Sequence, residues 1–101
     1  MSLEKIGKKE DFREGLGKLV RIKGKEIAVF RIKDEFYAID NECSHEGGPL
    51  CEGEVEDHKV ICPWHGAEFD LKSGKVLRLP ATKDLKTYRV ILKGEEVFLD
   101  V

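Results

Sequence analysis

The chain has 101 residues, 18 Lys and Arg against 20 Asp and Glu, and a formal net charge of −2 at pH 7. This length suits one domain with a modest core, expected to span residues 1–101. Dispersed basic residues argue against nucleic-acid binding, and no stretch approaches the ~20 apolar residues that a membrane-spanning helix requires. Met1 to Lys9 carries no apolar run that would serve as a targeting segment, so the expected location is the cytoplasm, with no membrane attachment.

In chain order, a short helical turn is expected over Glu10 to Gly15. Leu19 to Ile22, Ile27 to Ile32 and Phe36 to Ile39 are runs rich in β-branched and aromatic residues, separated by Lys23-Gly24-Lys25 and Lys33-Asp34-Glu35. Such spacing predicts successive hairpins. Gly53 to Glu56 with Lys59 to Ile61 reads as a further hairpin. Phe69 to Leu71 with Lys75 to Leu77, turned by Ser73-Gly74, reads as another. Each is expected to hold a ligand loop at its tip. Tyr88, Val90 and Leu92 alternate with Thr87, Arg89, Ile91 and Lys93, which predicts a half-buried strand that Gly94 turns into Val97 to Val101. The fold class is all-β, with no repeat and no low-complexity linker.

Two loops carry the chemistry. Cys43 and His45 lie in the first and Cys62 and His65 in the second, with sixteen residues between the pairs. Thiolates and neutral imidazoles in equal number suit a transition metal rather than Mg or Ca. The chain has only three Cys and three His, and four of those six fall in this frame. A Cys2His2 set also serves structural zinc, although zinc fingers usually bring two Cys together and then two His. A zinc-stabilised interaction module therefore remains an alternative. A Cys43–Cys62 disulfide is disfavoured by the odd cysteine count, the lack of a secretory segment and the His spacing.

The loops read Cys43-Ser44-His45-Glu46-Gly47-Gly48-Pro49-Leu50 and Cys62-Pro63-Trp64-His65-Gly66-Ala67-Glu68-Phe69. From Phe36 to Ala81 the chain resembles the Rieske family, whose pattern is CxH followed at a distance by CxxH. The resemblance implies a small antiparallel β-sandwich or open barrel with an inserted cluster-binding subdomain, here about residues 41–81. It implies one [2Fe-2S] cluster per chain, with Cys43 and Cys62 on one iron and His45 and His65 on the other. Leu79-Pro80-Ala81 resembles the family's proline-containing covering loop, while Pro49 and Pro63 would stiffen the ligand loops.

High-potential members of the family add a cysteine pair linking the loops, and a Ser and a Tyr donating hydrogen bonds toward the cluster. Trp64 stands where one of those cysteines is expected, and Ala67 and Phe69 where the hydroxyls are. Missing donors leave the charge on sulfur uncompensated. The resemblance thus implies a potential nearer about −150 mV than +300 mV. Cys51 reads as a small packed residue under the first loop, and His58 as a strand-surface residue.

Asp34 through His58 contains no Lys or Arg but has Asp34, Glu35, Asp40, Glu42, Glu46, Glu52, Glu54, Glu56 and Asp57. This stretch is either a solvated surface or an acidic collar that steers a basic partner. With His45 and His65 assigned to the cluster, His58 alone is left for any mononuclear iron site, so the chain is not expected to be an oxygenase itself. The implied function is a soluble ferredoxin passing single electrons from a flavoprotein reductase to a terminal oxygenase. A small-subunit-like component of an NAD(P)H nitrite reductase is the alternative within redox chemistry.

Overall fold

The computed structural model describes residues 2–43, 47–64, 66–79 and 83–101. Six strands form one antiparallel sheet: β1 (Leu3–Lys8), β2 (Gly17–Ile22), β3 (Lys25–Ile32), β4 (Glu35–Asp40), β9 (Thr87–Lys93) and β10 (Glu96–Asp100). Their spatial order is β1-β10-β9-β4-β3-β2. Four shorter strands, β5 (Glu54–Glu56), β6 (Lys59–Ile61), β7 (Glu68–Asp70) and β8 (Val76–Arg78), make a second sheet in chain order. Because β4 pairs directly with β9 (Ala38 opposite Tyr88), the small sheet is an insertion between them.

The large sheet curls until its edges nearly meet. Lys23 Nζ, in the β2–β3 turn, donates to Ser2 Oγ at 2.7 Å and to the Val101 carbonyl at 3.1 Å. That turn has Lys23 and Gly24 both at positive φ (50° and 75°), the backbone hand that matches strand twist in a two-residue hairpin.

β3 explains how the two sheets share one strand. Ile27 and Val29 face the barrel interior with Phe12, Ala38, Val97 and Leu99, whereas Ala28 and Phe30 face the small sheet with Ile39, Val60 and Phe69. Successive side chains point to opposite faces, so a strand buried on both sides reads as a continuous apolar run. Ile27 to Phe30 are all fully buried.

The structure departs from the sequence reading at four points. β1 is a strand, although Leu3 to Lys8 has no apolar signature; it is an edge strand held by its ladder to β10, with only Ile6 packed on the core. The helical turn is shorter and earlier than expected, a 3-10 turn over Lys9–Asp11, because the buried Phe12 breaks out of it to plug the barrel. A second 3-10 turn, Leu50–Glu52, was not anticipated. Neither expected hairpin carries a ligand loop at its tip: the Cys62 loop joins β6 to β7, a pairing that was not anticipated, and the tip of the β7–β8 hairpin is Leu71 to Lys75. The Cys43 loop connects β4 of the large sheet to β5, and the tip of the β5–β6 hairpin is Asp57-His58.

Candidate metal centre

The first loop is closed by its own backbone. Glu42 and Pro49 pair as an antiparallel bridge, the Cys43 N–H donates to the Gly48 carbonyl at 2.9 Å, and the Gly47 N–H returns to the Cys43 carbonyl at 2.8 Å. Asn41 pins the base. Its carbonyl accepts from the Leu50 N–H and its Oδ1 from the Cys51 N–H, both at 2.8 Å, while its own N–H reaches the Glu26 carbonyl at 3.0 Å. Asn41 is the buried polar side chain of the described residues, only 5% exposed. The second loop is tied by the Cys62 N–H donating to the Ala67 carbonyl at 2.7 Å, with Gly66 at a φ of 74° making the turn.

These loops bring Cys43 and Cys62 into one apolar cluster with Leu50, Val60, Ala67, Phe69, Leu71 and Leu85. The two cysteines are 4% and 2% exposed, and neither is in a disulfide. The loops touch: a Cβ built on Gly48 of the first would stand 2.7 Å from the Cys62 sulfur of the second. Two buried thiols presented from adjoining loops, with water excluded beneath them, fit a soft metal centre held from both sides. His45, His65 and Pro80 lie outside the described residues. Among the described residues no group of three or more His, Cys, Asp or Glu gathers around a point, as follows when two of the four expected ligands are not described.

The other singled-out residues separate from this centre. Cys51 is half-buried in the 3-10 turn under the first loop, where burial raises its thiol pKa. His58 sits at the far end of the small sheet. Its ring is edge-on to Tyr37 at 5.7 Å, and its Nε2 is 3.5 Å from Glu35 Oε1, so it bridges the two sheets rather than standing alone on a surface. The hydrogen bond that Tyr37 donates to Glu35 at 2.8 Å is the main reason the Glu35 carboxyl lies below its ordinary pKa.

Among the described residues the acidic stretch does not gather as one collar. Asp34, Glu35 and Asp57 belong to the turns at the ends of β4 and β6 away from the cysteines. Glu26, Asp40, Glu42 and Asp84 line an open cleft of about 840 Å³ beside Cys43, together with Lys25 and Lys83. Asp40 is engaged by the Tyr88 hydroxyl at 2.6 Å and Asp84 by the Val76 N–H at 2.9 Å. Mixed charge and a wide mouth make this a surface hollow rather than a substrate pocket.

A family model for the Rieske [2Fe-2S] domain matches residues 2–89. The chain belongs to the Rieske [2Fe-2S] domain family. It is 47% identical over 76 residues, 74% of this chain and 72% of the relative, to the 3-phenylpropionate/cinnamic acid dioxygenase ferredoxin subunit of Shigella boydii serotype 4 (strain Sb227). It is 40% identical over 90 residues, 89% of this chain and 86% of the relative, to the ferredoxin component of the naphthalene 1,2-dioxygenase/salicylate 5-hydroxylase systems of a Ralstonia species. Among solved structures, the ferredoxin of carbazole 1,9a-dioxygenase from Nocardioides aromaticivorans IC177 superposes with a TM-score of 0.94 at 27% identity, covering 98% of this chain and 97% of that one.

The cofactor of this Rieske ferredoxin is therefore the [2Fe-2S] cluster, and its work is to carry electrons rather than to catalyse. Ala67 and Phe69, both fully buried in the cluster of residues that holds the two cysteines, offer no hydroxyl to the sulfurs. Asn41 and Gly48 were not singled out from sequence. For Asn41 the available signal was a polar residue directly after an apolar strand; for Gly48 there was none beyond a glycine pair.

Proposed function

We propose that Cys43 and Cys62 hold one iron, and His45 and His65 the other, of a single [2Fe-2S] cluster, in a ferredoxin that takes single electrons from a flavoprotein reductase and delivers them to a terminal oxygenase. The observation that carries this reading is the convergence of two buried thiols, at the positions of the CxH and CxxH motifs, on one loop–loop contact. The 47% identity to a dioxygenase ferredoxin subunit supports an oxygenase as the acceptor.

When bound, the cluster supplies a site that gains and loses one electron, at a potential raised by its neutral imidazoles. The chain's own residues do the rest. Asn41 and the Glu42–Pro49 bridge hold the first loop, the Cys62–Ala67 hydrogen bond holds the second, and the apolar packing keeps water from the thiolates. Residues about 41–81 act as the cluster-binding subdomain of one domain spanning 1–101. Cytoplasmic location is part of the same proposal; among the described residues no helix is long and apolar enough to cross a membrane.

The test is EPR of the dithionite-reduced protein beside its iron and acid-labile sulfide content, with variants at each ligand. Two irons, two sulfides and a rhombic signal are expected, and Cys62→Ala should lose them. Zinc without sulfide, or full iron and sulfide in Cys62→Ala, would overturn the assignment. Reduction of an oxygenase component by the reduced protein would support the acceptor; transfer only to a nitrite reductase would replace it.

A further inference from the structure

Gly48 is the joint between the two ligand loops. Its carbonyl accepts the Cys43 N–H at 2.9 Å, and its Cα faces the second loop so closely that a Cβ would meet Cys62 Sγ at 2.7 Å and Trp64 Cγ and Cδ2 at 3.2 Å. Gly48 is not among the positive-φ glycines, so its backbone admits any residue and what glycine provides is space. The indole that occupies this space is half exposed at 48%, with its inner edge on Gly48 and its outer face to solvent. No disulfide joins these loops among the described residues.

We propose that Trp64 seated on Gly48 is a non-covalent clasp that sets the spacing of the two ligand loops and keeps water off the Cys62 sulfur, making both positioning residues for the reduction potential. This rests on Cys62 being a cluster ligand. A cluster with two ferric irons, two sulfides, two thiolates and neutral imidazoles is formally neutral. Gaining one electron makes it singly negative, the form that nearby water stabilises. Removing the indole admits water and shifts the potential upward. A methyl at Gly48 forces the indole or the sulfur outward.

Trp64 is the chain's single tryptophan, so selectively excited tryptophan emission reports this contact alone. The experiment compares Trp64→Ala, Trp64→Phe and Gly48→Ala holoproteins by iron and sulfide content, voltammetry and acrylamide quenching of emission. Trp64→Ala is expected to keep its iron and sulfide and to show a higher potential, which Trp64→Phe largely restores by supplying a ring. Gly48→Ala is expected to expose the indole to acrylamide. An unchanged potential in Trp64→Ala, or the same shift in Trp64→Phe, overturns the clasp, and these readouts stand even if Gly48→Ala does not fold. Loss of iron and sulfide in Cys62→Ala tests the ligand assignment separately, since a clasp that failed would leave that result intact.

Discussion

At the level of single residues, Asn41 shows how a buried polar group is tolerated: its Oδ1 meets the Cys51 N–H at 2.8 Å and thereby closes the base of the first loop. Asn41→Ala leaves that N–H without its partner and should cost about 1–3 kcal/mol, read as a lower urea midpoint. A change under about 0.5 kcal/mol would mean water replaces the amide. Ala67 and Phe69 make the complementary point about missing groups. Ala67→Ser and Phe69→Tyr each place a hydroxyl in the apolar cluster around the cysteines, and a hydrogen bond to sulfur stabilises the reduced state. Both variants should raise the reduction potential in voltammetry; a fall in either would show that the hydroxyl points elsewhere. The identities of the candidate ligands were legible in sequence because ligand chemistry depends on residue type and short spacing. Asn41 was not, because its partner lies ten positions further along the chain.

At the level of elements, β3 and the small sheet carry the folding argument. Phe30 is fully buried and packs toward the cysteine side of β3. Phe30→Ala should cost about 3–5 kcal/mol by opening a cavity, and should lower cluster retention on heating together with the denaturation midpoint. Equal midpoints for variant and parent would contradict the two-sided burial of β3. The small sheet is cross-tied by Glu68, which accepts from Lys59 at 2.8 Å and Arg78 at 3.3 Å. The hydrogen bond from Lys59 holds the Glu68 carboxyl below its ordinary 4.5, and the same bond holds Lys59 above its ordinary 10.5. A depressed carboxylate stabilises above its unfolded value and loses that contribution as pH falls through the folded one. A raised ammonium stabilises below its unfolded value and loses it as pH rises through the folded one. Stability should therefore fall below pH 4.5 and above pH 10.5 by a component that Glu68→Gln removes from both limbs. Urea midpoints across pH would check this; unchanged limbs in the variant would assign the acid and alkaline losses to other groups. The hairpins were readable from turn residues and alternation, whereas β1 was not. An edge strand is specified by its partner's unpaired backbone, not by its own side chains.

For the whole molecule, the insertion of a four-stranded sheet between β4 and β9 places two buried cysteines where a barrel and a small sheet share one core. With no hydroxyl at Ala67 or Phe69, the reduction potential should lie nearer about −150 mV than +300 mV, and a value above zero by voltammetry would refute the tuning argument. The nine acidic residues between Asp34 and His58 read as one stretch, yet strand reversal sends Asp34, Glu35 and Asp57 to one end and Glu42 to the other. A run of charge in sequence becomes a surface only after topology has sorted it. By itself the sequence determined the candidate ligand types, their spacing, the all-β class and most hairpins, because each depends on neighbours within a few positions. Tertiary structure alone decided that β3 is buried on both faces, that Asn41 locks the first loop, and that Gly48 abuts the Cys62 sulfur. Those facts rest on contacts between segments far apart in the chain, whose approach is set by the packing of two sheets rather than by any local preference.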